Sequence, residues 1–566
     1  MPSKTKPIVS PSSDVWGNKL NQHLEQLMPD DGGGINKFEQ FSQRPTNLTT
    51  DDKGKTYLYT QTGNFHQWSG TEWKVLNESV INVKDYGAVG DGFTDDTAAI
   101  QKCLNEFNNI YFPKGIYCTG TMNIPSKKSL LGDGDSLSEL KNMNNFENHY
   151  LYSFDETDIT IDSMFLNGNK DGRMPNGAKA WSGSTYQFGI TDPGTARKEN
   201  NIVIKNCKIG GNGFNNIGAV SAKNVTIDNC KFINGRDSGI SSNAALQWKV
   251  TNCTFDDTMM FPVSFSSNGL RLNWAAYPNP YAGLGLCSDI IISNNIINVG
   301  KNSHVDGSIV NAYGIQIDGT KNLLITNNII RITEGGMYGI RIIPSRETAL
   351  FDCYNIDIIS NRVINESTKA TIGIEIWNDE NDTEQKNMKV ESNTIINNVG
   401  SGFIGINILN INRITIANNI INSYLNNKYS IGIRLEEGNA NNIDVIQNDI
   451  SGATIGIQCG DVSNTQTVIQ KVRLNSNKVY NNTTNLGLGK GWEFFTQNNY
   501  TPNPNYLTPY AIHGDFRLYN SAPTAGMWDI GEIVYASNPV PGSYIGWICT
   551  TAGTPGTWKG FGLIEL

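Results

Sequence analysis

A phrase Gly-Ile-x-Ile, or a near variant, recurs at Gly239-Ile240, Gly314-Ile315, Gly339-Ile340, Gly373-Ile374, Gly405-Ile406, Gly432-Ile433 and Gly456-Ile457. In an extended strand, successive side chains point to opposite faces. If the two Ile turn inward, x and the residue two beyond it face outward. The x positions hold Ser241, Gln316, Arg341, Glu375, Asn407, Arg434 and Gln458. Beside them stand Asn243, Asp318, Ile343, Trp377, Leu409, Glu436 and Gly460. Carboxylates, guanidinia, amides and an indole in one stripe suit a polysaccharide: planar polar groups meet hydroxyls, Arg meets sugar carboxylates, and rings cover the apolar faces of pyranoses. A plain solvated face would also be polar, so the stripe fits either role.

Breaking a glycosidic bond by hydrolysis takes one carboxylic acid to protonate the leaving oxygen and one carboxylate to activate water or attack. Glu375 is the first candidate, because Arg341 and Arg434 flank it in its column and Trp377 lies beside it. Asp318 and Glu436 each lie two repeats away, roughly 10 Å along a stack of strands. Either could form an inverting pair with Glu375, whose carboxyls need about 6.5 to 9.5 Å; Asp318 and Glu436 are too far apart to pair together. Gln316, Arg341, Trp377, Asn407 and Arg434 are the expected sugar contacts. Two long insertions add aromatic side chains: Asn252 to Asn294 holds Arg271, Trp274, Tyr277 and Tyr281, and Gly168 to Glu199 holds Trp181 and Tyr186. Loops of this length on a rigid scaffold tend to carry function, so Trp274 and Tyr277 are read as sugar-stacking residues, with packing against a neighbouring subunit as the alternative. A lyase would instead use a base to remove the proton α to a uronic carboxylate, with Arg or Lys stabilising the charge. Of the five His, only His304, next but one to Asp306, is placed as such a base.

These residues need an array that repeats. A second phrase supplies it: Ile204-Lys205-Asn206-Cys207, Ile227-Asp228-Asn229-Cys230, Val250-Thr251-Asn252-Cys253, and equivalents at Asn294, Asn327, Asn361, Asn393, Asn418, Asn448 and Asn477, at intervals of 23 to 42 residues. Coils of this length, with several alternating strands and no 3.6-residue period, predict an all-β parallel solenoid in which each strand pairs with its equivalent above and below. The Asn column would stack into an amide ladder inside the coils, and Cys207, Cys230 and Cys253 would stack beside it as inert thiols.

The composition agrees. The 566 residues carry a net charge of −9, are 38% hydrophobic and 10% aromatic, and include 57 Gly. That balance argues against a basic nucleic-acid binder and against a disordered chain. No run approaches the roughly 18 apolar residues of a membrane span, and the first residues do not resemble a signal peptide; the expectation is a soluble product made in a cytoplasm. The nine Cys are scattered with no CxxC pair or His cluster, so neither a metal nor any other cofactor is expected.

Before the repeat, Asp85-Tyr86-Gly87-Ala88-Val89-Gly90-Asp91-Gly92-Phe93-Thr94-Asp95-Asp96-Thr97-Ala98-Ala99-Ile100 reads as a Gly/Asp turn followed by an Asp-initiated helix over about 96–107, which would cover the open end of the solenoid. This motif resembles the opening of the pectate-lyase-like superfamily, in the version found in bacteriophage tailspikes and capsule depolymerases. The resemblance spans roughly residues 80–483 and implies a right-handed parallel β-helix, usually a homotrimer on a virion, that depolymerises host capsular or surface polysaccharide. In the polygalacturonase relatives of that fold, catalytic Asp residues precede the Gly of the strand. Only Arg236-Asp237-Ser238-Gly239 matches, which makes Asp237 a further catalytic candidate; Ala312, Met337, Thr371 and Phe403 occupy the later positions. The expected organisation is a module over 1–79, resembling the part by which tailspikes attach to tail or baseplate proteins, the solenoid over 80–483, a linker over 484–510, and a C-terminal β module over 511–566 for trimer clamping or glycan contact.

Overall fold

The structure is a computed structural model that describes residues 36–60, 64–76, 80–143, 151–153, 156–169, 186–191, 199–211, 215–220, 222–233, 238–256, 261–266, 287–300, 312–333, 336–344, 353–378, 386–398, 402–423, 430–436, 442–460, 470–488, 492–500, 511–514, 518–524 and 528–566. Among these, strands dominate, and no helix is long and apolar enough to cross a membrane. Three parallel sheets of 16, 14 and 13 strands run the length of the molecule, each strand pairing with its counterpart one coil away. We call them faces A, B and C, in the order in which the chain visits them. The alternation of apolar and polar residues builds this core: Ile202 and Ile204, Leu323 and Ile325, and Ile356 and Ile358 all point into one continuous buried cluster.

Inside the turn between faces A and B, the amide ladder is present. Asn295, Asn328, Asn361, Asn393, Asn419, Asn448 and Asn477 each donate Nδ2 to the Oδ1 of the next Asn, ending on Asn499, over 2.9–3.1 Å. The expected column mixed two adjacent positions. Asn294, Asn327 and Asn418 occupy the residue before the ladder, where φ is +55° to +58°. Ser360, Ser392, Gln447 and Ser476 share that left-handed position, which short polar side chains tolerate. Cys207, Cys230 and Cys253 stand at the ladder position itself, and the Cys253 amide donates to Asn295 Oδ1 at 2.8 Å, joining thiol stack to amide ladder. All nine Cys are free and buried.

At the N-terminal end, a small sheet forms from β1 (Asn36–Phe38), β2 (Thr56–Tyr59), β3 (Asn64–Trp68) and β4 (Trp73–Val75), parallel between the first pair and antiparallel thereafter. Helix α1 (Thr97–Glu106) follows the opening motif and turns Ile100, Cys103 and Leu104 onto the first coils. Asp91–Asp95 is a strand pairing with Gly115–Thr119 across a register shift, where a turn was expected. The parallel stack also runs past residue 483: Thr484–Leu488 closes face C, while Trp492–Gln497 and Ala511–Gly514 add the last strands of face A. A separate four-stranded sheet spans Leu518–Tyr519, Ile533–Ala536, Tyr544–Thr551 and Thr557–Leu563, around buried Trp528, Val534 and Cys549.

Candidate active site

The stripe lies on face C, on strands β5 (Phe261–Ser266), β6 (Ala312–Asp318), β7 (Gly336–Ile343), β8 (Ile372–Trp377), β9 (Ile404–Leu409), β10 (Ile431–Leu435) and β11 (Ile455–Cys459). The Gly of each phrase lets the coils close. A Cβ on Gly373 would stand 2.6 Å from the Gly405 carbonyl oxygen, and the same clash recurs at Gly314, Gly339, Gly405 and Gly432. The Ile pairs, such as Ile374 and Ile376, are buried in the core. The intervening residues are in strict register: Ser264 opposite Gln316, then Arg341, Glu375, Asn407, Arg434 and Gln458 on successive coils. Ser264, absent from the sequence column because its strand lacks the Gly-Ile phrase, fills the coil between Ser241 and Gln316.

At the centre, Glu375 is 7% exposed and held from both sides. Arg341 Nε donates to Glu375 Oε2 at 2.7 Å, and Asn407 Nδ2 donates to Oε1 at 3.2 Å. Both partners there donate, so both Glu375 oxygens act as acceptors. Arg434 Nε donates to Asn407 Oδ1 at 2.8 Å and its guanidinium pairs with Glu436. One connected chain of groups thus runs from Arg341 through Glu375, Asn407 and Arg434 to Glu436. Asp318, 9% exposed, accepts from Gln316 Nε2 at 2.8 Å. The other amide atom of Gln316, Oε1, is buried and has no hydrogen-bond partner among the described residues. Asp318 and Glu375 are two strands apart, with Arg341 on the strand between them and Asp318 two residues off their file, so their backbones are separated by roughly 12 Å. Trp377 is half-buried at the edge of the cluster.

Two residues of this site were not expected from the sequence. Tyr313 and Tyr338 stack on adjacent coils with centroids 5.0 Å apart, and the Arg341 guanidinium sits 4.6 Å from the Tyr338 ring and 5.3 Å from that of Tyr313. Burial works against the Arg341 charge, yet the Glu375 hydrogen bond and charge, with smaller contributions from Tyr338 and Tyr313, hold its pKa above the ordinary guanidinium value. Burial also pushes the Tyr338 phenol up, and the Glu375 charge pushes it the same way. A repeated Tyr-Gly-Ile at Tyr313 and Tyr338 was the available signal. Asp237, Trp274, Tyr277 and His304 lie outside the described residues. No group of three or more His, Cys, Asp or Glu among the described residues could hold a metal ion.

Residues 80–260 match the family model for rhamnogalacturonase A/epimerase, pectate lyase-like, and residues 195–347 match that of the right-handed β-helix region. A preneck appendage protein of Bacillus phage PZA is 27% identical over 139 residues, 23% of this chain and 15% of that protein. The mannuronan C5-epimerase AlgE1 of Azotobacter vinelandii is 28% identical over 109 residues, 16% of this chain and 8% of the epimerase. The chain thus spans only a small part of the curated relatives it matches. Among solved structures, tailspike protein 2 of bacteriophage CBA120 aligns over 83% of this chain and 64% of its own enzymatically active domain, at 13% identity and a TM-score of 0.42. The fold is a right-handed parallel β-helix, in a chain similar over residues 80–260 to the pectate-lyase-like family and over a shorter stretch to phage appendage proteins.

Proposed function

We propose that this protein is a phage tailspike that binds host capsular or surface polysaccharide along face C and cleaves it by hydrolysis, with Glu375 and Asp318 as the reacting carboxylates. The observation that carries this reading is the in-register file in which Glu375 is fixed as an acceptor, with Asp318 two strands away and two residues beyond Gln316 of that file. Of the two partners weighed for Glu375, each two strands from it, Glu436 is paired with the Arg434 guanidinium, whereas Asp318 accepts from the neutral Gln316 amide. Glu375 then activates water and Asp318 protonates the leaving oxygen, in an inverting geometry. Gln316, Asn407, Arg434 and Trp377 contact sugar. The phage appendage relatives support placement on a virion; assembly as a homotrimer and attachment through residues 1–79 are part of the same proposal.

One observation favours a lyase as the second reading. The Arg341 guanidinium stands beside Glu375, with Nε on Oε2 at 2.7 Å and the Tyr338 and Tyr313 rings against it. A cation there stabilises the negative charge that develops when a uronate loses its α proton. Purified protein incubated with host polysaccharides separates the cases. New reducing ends without ultraviolet absorbance of unsaturated uronate mean hydrolysis; both signals mean elimination; retention without cleavage means a receptor-binding protein. Glu375→Gln should lower cleavage by roughly 10²-fold or more while leaving retention on the glycan; undiminished cleavage removes Glu375 from the site.

A further inference from the structure

The small N-terminal sheet meets the solenoid through groups that the glycan site does not use. Asp85, in the 3-10 turn Val83–Tyr86 of the opening motif, is fully buried. Its Oδ2 accepts from Asn64 Nδ2 at 2.5 Å, and its Oδ1 lies 3.3 Å from His66 Nε2, both residues belonging to β3. His66 is equally buried, edge-on to Phe38 and Tyr59. The Phe41 ring lies flush on Gly87, where φ is +104° and a Cβ would stand 2.9 Å from the ring. Arg44 covers Phe41 at 4.2 Å and reaches Trp73 at 5.6 Å, and the charges of Tyr86 and Asp85 oppose the loss of proton affinity that burial imposes on it.

A module on a loose tether would not bury a carboxylate of its neighbour, since an unpaired buried carboxylate is strongly unfavourable. We propose that residues 36–76 are a docked cap on the mouth of the β-helix, that Asp85 is its docking residue, and that cap and first coils move as one body. A particle attached through this cap would therefore hold the glycan-facing stripe at a fixed angle. This inference stands apart from the reaction assigned to face C.

Hydrogen exchange and limited proteolysis of the full chain test it from both sides of the contact. Asp85→Ala removes the solenoid's half; Asn64→Ala combined with Phe41→Ala removes the cap's half. Both variants should speed exchange across Asn64–Trp68 about tenfold or more and release cap peptides, because proteolysis follows the open population. Peptides from Ile372–Trp377 should exchange as in the parent protein. The proposal is overturned if either variant leaves the cap as protected as before, or if Asp85→Ala loosens the coils along with it. In that second case Asp85 builds the coil and does not dock the cap.

Discussion

Asn407 shows how one side chain on this β-helix is set by the coil beyond it. Arg434 Nε can only donate, so Asn407 must present Oδ1 to it and deliver Nδ2 to Glu375. Asn407→Asp would put a second carboxylate against Glu375, where like charges disfavour ionisation of both. The expected outcome is a loss in kcat of roughly 10²-fold with a smaller change in KM, and a shift of the acid limb of the pH profile; a change confined to KM would make Asn407 a sugar contact only. A second residue gives a pH dependence of stability. Asp96, before α1, accepts from the Val89 and Gly90 amides at 2.6 and 3.1 Å, but burial outweighs these bonds and raises its pKa above the ordinary 3.8. The folded state therefore holds that proton more tightly than the unfolded chain. Its contribution is neutral below both values and declines as pH rises from about 3.8 through the folded pKa. Asp96→Asn should flatten this part of a melting-temperature profile; an unchanged slope would assign the pH dependence elsewhere.

Elements are fixed here by stacking, and each ladder position is worth a measurable amount. Asn361 donates Nδ2 to Asn393 Oδ1 and to the Ile325 carbonyl, and its own Oδ1 accepts from the Asn328 backbone and side chain. Asn361→Ala removes the acceptor of the buried Asn328 amide and breaks the ladder on both sides, which should cost about 1–3 kcal/mol, seen as a lower thermal midpoint. Gly373→Ala drives a Cβ onto the Gly405 carbonyl, a backbone atom that cannot step aside, and should cost about 1–3 kcal/mol. If either variant melts with the parent, the coils have more slack than these distances allow. The strands and their inward Ile were legible in the sequence because burial imposes a strict period of two. The ladder's register was not, since Asn294-Asn295, Asn327-Asn328 and Asn418-Asn419 put Asn at both the left-handed position and the amide position. Where Ser takes the first position, as in Ser360-Asn361, the two roles separate. Likewise the chain of bonds from Arg341 to Glu436 follows from register and was readable as a column, while the tyrosine pair beneath Arg341 stood three residues upstream, off the period-two alternation of the strand.

For the molecule as a whole, the ends differ. The N-terminal mouth is covered by α1 and by the docked sheet, but the C-terminal sheet, among the described residues, encloses Trp528, Val534 and Cys549, with Tyr519, Trp547 and Trp558 against them. Around this small core, Ile530, Val540, Tyr544, Ile545 and Leu563 remain exposed. A core this small supplies little stability by itself, and exposed apolar side chains are what a subunit contact would bury. The homotrimer proposed above would cover it by bringing three copies together at that end. Light scattering on the full chain should then give three times the 62.2 kDa chain mass, and Leu563→Asp with Ile530→Asp should lower that mass while the circular dichroism of the β-helix is retained. A parent protein that is monomeric removes the trimer from the proposal and leaves the cluster on face C to act within one chain. A trimer indifferent to both substitutions places the subunit contact along the coils and returns the C-terminal sheet to glycan binding.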